Sequence, residues 1–233
     1  MWLFFDVGST ILDEKSLEDL RVKILAKEFS RRGIKVSQRQ LTQTMENLVT
    51  EYSFRRGYDL TWEACYRLST LKEAEVIMEN FSYKFTAICK RKLRDRSIET
   101  LVRPYPDVWT AIPVLARRHN LGLIGNQPPE IETHLKHTWK LSEYFKVIAI
   151  SERVQLRKPD RALFVYALAK AAADPAESVM IGDRLDTDIA PAKSLGMTTV
   201  RILRGMMRLQ RAYGELEKPN YEIKTLKNLL KLF

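Results

Sequence analysis

The sequence predicts an α/β protein, in which a parallel sheet is covered by helices and a second, all-helical region is inserted after the first strand. Two observations lead to this fold class. Short apolar runs recur at regular spacing in the second half of the chain, with helical segments between them, and such alternation is typical of a parallel sheet. Between Ser16 and about Arg96, by contrast, every periodic segment has the spacing of a helix.

The first predicted strand runs from Trp2 to Asp6, an apolar stretch that ends on a carboxylate. Helical segments follow it, and Ser37 with Gln40 forms a capping box at the start of one of them. Core packing explains the aromatic residues of this region better than a substrate pocket does; they are Phe54, Tyr58, Trp62 and Tyr66.

A linker is predicted where Pro104 and Pro106 interrupt the helical pattern. Asp107 is placed to cap the helix that follows. Further strands are then predicted at Leu121–Ile124, Val147–Ile150, Val179–Ile181, Thr199–Ile202 and Tyr221–Ile223. The sequence therefore predicts two domains. Residues 1–14 and 104–233 form the α/β domain, and residues 15–103 form the helical insertion.

The composition is that of a soluble globular protein, since 45% of the 233 residues are hydrophobic and 29% are charged. There is no apolar run long enough to span a membrane, no visible signal peptide and no metal-ligand spacing of the two cysteines, so we expect a cytoplasmic protein. The net charge of +10 is spread along the chain without a nucleic-acid motif. We therefore expect anionic substrates rather than a nucleic-acid partner.

Polar residues follow several of the predicted strands. Asp6, Gly125-Asn126 and Gly182-Asp183 all stand at carboxyl ends of strands, where open parallel sheets bind their ligands. Lys158 lies in "RKPD" before a predicted helix, and Asp188 lies five residues after Asp183. Each motif alone is weak, but their order and spacing together indicate one site.

With these motifs the chain resembles the haloacid dehalogenase superfamily of phosphohydrolases, in the branch with a helical cap inserted after the first strand. The resemblance covers the whole chain. It implies a doubly wound parallel sheet with a β-hairpin flap and a helical cap domain. It also implies magnesium-dependent hydrolysis of a small phosphorylated metabolite through an aspartyl-phosphate intermediate.

The resemblance also implies a role for each matching residue. Asp6 is the nucleophile, and Lys158 neutralises charge between nucleophile and phosphate. The Mg²⁺ site consists of the Asp6 and Asp183 carboxylates and the backbone carbonyl of Gly8, completed by Asp188, which orients the ligands. The expected phosphate- and substrate-binding residues are Ser9, Thr10, Gly125 and Asn126.

Two positions depart from the family pattern. Family phosphatases usually carry an acid/base aspartate two residues after the nucleophile, whereas this chain has Gly8, and such proton transfer is worth roughly 10²–10⁴-fold in rate. Glycine makes the turn at this position easily. The family expects Ser or Thr where Gly125 stands, and the side chain of Asn126 or Gln127 could compensate. We therefore expect a phosphatase that is slow or selective for good leaving groups.

Two alternatives stay open at this point. A metal-independent 2-haloacid dehalogenase would also lack the second aspartate, but it would not need Asp183. A non-catalytic binding protein of the same fold would explain both glycines, although it would not need Asp6 and Lys158 intact. The sequence assigns neither a particular substrate nor an oligomeric state.

Overall fold

The computed structural model of the protein describes residues 1–51, 59–94 and 96–233. Within these residues the strands are Trp2–Phe5 (β1), Leu12–Asp13 (β2), Arg103–Pro104 (β3), Asn120–Gly125 (β4), Val147–Ile150 (β5), Ser178–Gly182 (β6), Thr198–Ile202 (β7) and Tyr221–Ile223 (β8). Six of them form one parallel sheet in the order β5-β4-β1-β6-β7-β8, and β2 and β3 form a separate two-stranded sheet. The predicted α/β fold class is confirmed.

Strand β1 lies at the middle of the large sheet. It pairs with β4 on one side and β6 on the other, so that Phe5 stands opposite Leu123 and Ile181. The sheet grows away from β1 through β4 to β5, and the chain then returns to the other side of β1 as β6. This reversal creates the kind of switch point at which parallel sheets bind ligands. Leu3 and Phe4 are fully buried, as expected for a strand covered on both faces.

The chain divides into two compact units. The first consists of Met1–Asp13, Pro104–Arg208 and Ala212–Phe233, and the second of Glu14–Arg103 with Leu209–Arg211. The long helices of the second unit, within the described residues, are Lys15–Arg31 (α1), Gln38–Glu51 (α2), Leu60–Leu68 (α3) and Leu71–Leu93 (α4). The assignment of these units as a catalytic core and a cap stays a prediction.

The second unit confirms one predicted capping box. The Gln40 N–H donates to Ser37 Oγ over 3.2 Å, and the Ser37 N–H donates to Gln40 Oε1 over 2.9 Å, at the start of α2. Of the predicted core aromatics, Phe54 and Tyr58 lie outside the described residues. The ring centroids of Trp62 and Tyr66 on α3 are 5.4 Å apart, but the core-packing prediction is wrong for Tyr66, which is exposed.

Helices of the first unit pack around the large sheet. They are Val108–Arg118 (α5), Glu130–Thr133 (α6), Ser151–Val154 (α7), Arg161–Ala171 (α8), Ala190–Ser194 (α9) and Leu229–Leu232 (α10). Leu163 and Phe164 of α8 belong to the same buried cluster as Phe4 and Met180 of the sheet. None of the helices in the described ranges has the length and apolar character needed to cross a membrane.

The predicted capping role of Asp107 is wrong. Its side chain makes no capping bond to α5. One of its carboxylate oxygens, Oδ2, accepts instead from the Arg204 guanidinium, from Thr225 Oγ1 over 2.5 Å and from the Leu226 N–H over 2.7 Å. Asp107 therefore fixes the beginning of the last helical segment, more than a hundred residues further along the chain, and no local pattern reveals that partner.

Candidate active site

The chain forms a tight turn directly after β1. The Asp6 N–H donates to the Ile181 carbonyl over 2.8 Å, which continues the pairing of β1 with β6 up to the carboxylate. The Val7 carbonyl then accepts from the N–H groups of Ile11, over 3.0 Å, and Leu12, over 2.8 Å. We call residues 7–12 the nucleophile turn, because they follow Asp6, the residue to which the resemblance assigns the role of nucleophile.

Two hydroxyl-bearing residues of the nucleophile turn are buried. Ser9 has a φ of 51°, in the left-handed region that costs a residue with a side chain roughly 1–2 kcal/mol, whereas Gly8 does not have a positive φ. The interpretation that Gly8 makes the turn easy is therefore wrong, because Ser9 takes the left-handed position. The hydroxyl of Thr10 is buried without a hydrogen-bond partner among the described residues. Strained backbone and unsatisfied polar groups of this kind concentrate at functional sites.

A buried lysine joins two carboxylates at the centre of the site. Lys158 Nζ donates to Asp6 Oδ1 and, over 2.6 Å, to Asp188 Oδ1. The exposed fraction of the Lys158 side chain is only 3%. Buried charges are stable only when they are paired in good geometry. The folded chain thus brings together three residues, Asp6, Lys158 and Asp188, which the order and spacing of the sequence motifs predict to belong to one site.

The charges at this site influence one another. Burial raises the pKa of Asp6 to about 6, and the Lys158 ammonium opposes that increase. Burial alone would lower the pKa of Lys158, but the carboxylates of Asp188 and Asp6 outweigh it and raise the pKa overall. Lys158 therefore keeps its positive charge at neutral pH, next to the carboxylate expected to act as nucleophile.

A third carboxylate completes the group. Asp183 follows β6, and one oxygen atom from each of Asp6, Asp183 and Asp188 can be chosen so that all lie within 4.8 Å of one another. All three residues are buried. Carboxylate oxygens are the ligands that Mg²⁺ prefers, and three carboxylates outnumber the one ammonium that Lys158 provides. The donor set fits a divalent cation.

Asp188 is held from several sides. It lies in a π-helical turn, Leu185–Ile189, and its second oxygen accepts from the Arg184 N–H over 3.0 Å. A Cβ atom on Gly182 would stand 2.5 Å from the Asp188 side chain, so only glycine permits this approach. Both carboxylate oxygens of Asp188 thus have protein donors, as expected for a residue that orients the site.

The side chain of Asn126 positions the backbone of Lys158. Asn126 Nδ2 donates to the Lys158 carbonyl, and the Lys158 N–H donates to Asn126 Oδ1, each over 2.9 Å. This reciprocal pair fixes the segment that carries the ammonium relative to the end of β4. The sequence predicts Asn126 as a substrate-binding residue and does not reveal this positioning role, because the two residues lie 32 positions apart.

Comparison with known proteins now identifies the family. The sequence profile of the haloacid dehalogenase-like hydrolases matches residues 3–202. The chain belongs to this family. The predicted family and enzyme class are thereby confirmed.

Individual relatives agree with this assignment. The chain is 27% identical over 238 residues to a glyceraldehyde 3-phosphate phosphatase of Methanopyrus kandleri, with 98% of this chain and 94% of the relative covered. A haloacid dehalogenase-type phosphatase structure from Thermococcus onnurineus shares 26% identity with a TM-score of 0.64, over 99% of this chain and 96% of the other. A 2-haloacid dehalogenase from Pseudomonas syringae pv. Tomato has a TM-score of 0.57 at 22% identity, over 99% and 96% of the two chains, which shows a shared fold.

Gly125, one of the two departures from the haloacid dehalogenase pattern, packs closely against the side chain of Val7. A Cβ atom at Gly125 would lie 2.7 Å from Val7 Cγ2 and 3.2 Å from Val7 Cβ. Valine is stiff about χ1 and cannot easily turn away. The Val7 side chain therefore occupies the space that the family's serine or threonine side chain would enter.

We predict that Gly125→Ser and Val7→Ala are coupled. Gly125→Ser alone should lower the free energy of unfolding by about 1–3 kcal/mol, because it overpacks the contact with Val7. In a Val7→Ala background, Gly125→Ser should lower the free energy of unfolding by less, and the coupling energy between the two substitutions should be about 0.5–3 kcal/mol. Urea unfolding of the two single variants, the double variant and the wild type measures this. Additive effects would contradict the steric account.

We further predict that Asn126→Asp destabilises the protein by about 1–3 kcal/mol, because a carboxylate oxygen would face the Lys158 carbonyl in place of the amide donor. Thermal and urea unfolding check this. Asn47→Asp, on α2, is the control, since Gln43 Nε2 donates to Asn47 Oδ1 and an aspartate keeps that acceptor. Equal destabilisation by the two substitutions would argue against a special role of Asn126.

Proposed function

We propose that the protein is a magnesium-dependent phosphatase that hydrolyses a small phosphorylated metabolite through an aspartyl-phosphate intermediate. The observation that carries this proposal is the Lys158 ammonium buried between Asp6 and Asp188, with Asp183 in the same acidic group. The similarity to the Methanopyrus relative, which is named a glyceraldehyde 3-phosphate phosphatase, supports it.

Asp6 would react in two steps. Its carboxylate attacks phosphorus, the bond from phosphorus to the leaving oxygen breaks, and the departing oxygen takes up a proton. A water molecule then attacks the phosphorus of the acyl phosphate, which releases inorganic phosphate and restores the Asp6 carboxylate. The Lys158 ammonium offsets the negative charge that both steps bring together, and Asp188 keeps that ammonium in place.

Mg²⁺ would be held by the carboxylates of Asp6 and Asp183 and by the backbone carbonyl of Gly8. When bound, it supplies positive charge that reduces the repulsion between an anionic nucleophile and a phosphate group. Asp188 orients the neighbouring groups, since its oxygens accept from Lys158 and from the Arg184 N–H. Gly8 contributes only its backbone, so a missing side chain there leaves this donor set complete.

Substrate selectivity follows from what the site contains and lacks. The hydroxyls of Ser9 and Thr10 and the backbone of Gly125 and Asn126 would bind the phosphate. Because Gly8 offers no acid to protonate a departing alcohol, we propose faster hydrolysis of acyl or aryl phosphates than of alkyl phosphates. Glyceraldehyde 3-phosphate, the substrate in the Methanopyrus relative's name, is an alkyl phosphate and gives the direct comparison.

We also propose that the protein works in the cytoplasm, where thiols stay reduced. Both cysteines, Cys65 and Cys89, are free, and Cys65 is buried. No nucleic-acid or membrane partner is part of this proposal.

We predict that Asp6→Asn lowers kcat for p-nitrophenyl phosphate and acetyl phosphate by a factor on the order of 10³ or more, because the nucleophile is lost. Phosphate release is measured with and without Mg²⁺. Asp19→Asn, an exposed carboxylate of α1, is the control and should retain activity. Activity surviving in Asp6→Asn would refute the assignment of the nucleophile, and halide release from 2-chloropropionate without metal would favour the dehalogenase.

We predict that Gly8→Asp raises kcat/KM for glyceraldehyde 3-phosphate by about 10-fold or more, within the range that an added general acid can supply. The backbone at Gly8 does not have a positive φ, so an aspartate there avoids the strain of a left-handed conformation. The gain should be smaller for p-nitrophenyl phosphate, whose leaving group needs less protonation. Gly8→Asn is the control, and an equal gain in that variant would show that acidity is not the cause.

A further inference from the structure

We propose that Arg204 is a positioning residue that holds the nucleophile turn in its strained conformation. Its catalytic consequence rests on the proposed phosphatase function, whereas its effect on the turn does not. Arg204 lies just after β7 and is separated from the nucleophile turn by almost the whole chain.

Arg204 bridges two acceptors. Its Nη1 donates to the Thr10 carbonyl over 2.7 Å, and its Nη2 donates to the Asp107 carboxylate. The guanidinium carbon lies 4.0 Å from the centre of the Tyr105 ring. The exposed fractions of the Arg204 and Asp107 side chains are 9% and 11%. A planar fork that binds two acceptors while stacking on an aromatic ring is a geometry that lysine cannot reproduce.

The other end of this bridge is itself anchored. Asp107 Oδ2 also accepts from Thr225 Oγ1 over 2.5 Å and from the Leu226 N–H over 2.7 Å. The Tyr105 N–H donates to the Ile11 carbonyl over 3.0 Å. Two consecutive carbonyls of the nucleophile turn, at Thr10 and Ile11, are therefore held by donors from residues 204 and 105.

The nucleophile turn needs such support because of Ser9. A left-handed residue with a side chain persists only where the surroundings over-determine it. Ser9 immediately precedes Thr10, whose carbonyl Arg204 binds, and it immediately follows Gly8, whose carbonyl is a proposed metal ligand. Without the Arg204 bond, Ser9 can relax toward an ordinary conformation, and such a change would move the Gly8 carbonyl and the Asp6 carboxylate with it.

Arg204→Lys is the decisive variant, because it keeps the charge but loses the fork. Arg201→Lys is the matched control. Arg201 is a buried arginine on β7, but it donates to Glu222 Oε1 over 3.1 Å and to the Met207 carbonyl over 2.8 Å. Hydrogen–deuterium exchange of peptides covering residues 7–13, thermal unfolding with and without Mg²⁺, and kcat and KM for p-nitrophenyl phosphate are measured for both.

Arg204→Lys should speed amide exchange in residues 7–13 by about 10-fold and reduce the increase in melting temperature that Mg²⁺ gives. It should also lower kcat by a factor on the order of 10², which is the effect of a displacement near 1 Å at a reacting group. Arg201→Lys should lower the melting temperature without these three effects. Thr225→Val, which weakens the anchor on Asp107 and leaves Arg204 in place, should speed exchange in the same peptides to a smaller extent.

The proposal is overturned if amide exchange in residues 7–13 is unchanged in both Arg204→Lys and Thr225→Val. It is also overturned if Arg201→Lys shows the same changes as Arg204→Lys. Arg204 would then be a purely structural residue. If the wild-type protein hydrolyses no phosphate ester, the proposed function fails, but the exchange data still decide whether Arg204 restrains the turn. Faster exchange with unchanged kcat in an active enzyme would overturn the catalytic consequence.

Discussion

The site depends on one buried positive charge between two carboxylates. Lys158 could not lose its hydration in the interior without the Asp6 and Asp188 oxygens that accept from it, and those oxygens could not be buried so deeply without the ammonium. Asn126 fixes the backbone that carries this charge, and the absence of a side chain at Gly182 lets Asp188 approach. The ends of three neighbouring strands, β4, β1 and β6, are thereby held in one arrangement.

The two departures from the family pattern leave this charge cluster untouched. Glycine at position 8 removes only a side chain, and the expected contribution of this residue to metal binding comes from its backbone carbonyl. Gly125 is matched by Val7, whose methyl group stands 2.7 Å from the position of a Cβ atom. The hydroxyl that the family places there is thus replaced by a packing contact. Under the proposed function, such a site keeps its charged groups and lacks two side chains that would assist proton transfer and phosphate binding.

The nucleophile turn shows a different kind of dependence. The strained residue of the turn is Ser9, but the residues that restrain the turn lie far away in the sequence. Arg204 and Tyr105 donate hydrogen bonds to two carbonyls of the turn. Asp107 connects that restraint to Thr225 near the end of the chain. The turn that directly follows the proposed nucleophile therefore depends on segments that take no part in the chemistry.

The parallel sheet and the sheet edge at which Asp6 and Asp183 meet were predictable from the amino-acid order, because strand periodicity and the position of strand ends are properties of the local backbone. The family was predictable too, because its motifs are short and contiguous. The amino-acid order did not reveal the left-handed Ser9, the partners of Asp107 or the use of the Asn126 side chain. Those features arise from contacts between residues far apart in the chain. They become visible in the folded protein, because a side chain's partners are set by distances in three dimensions, which no local pattern records.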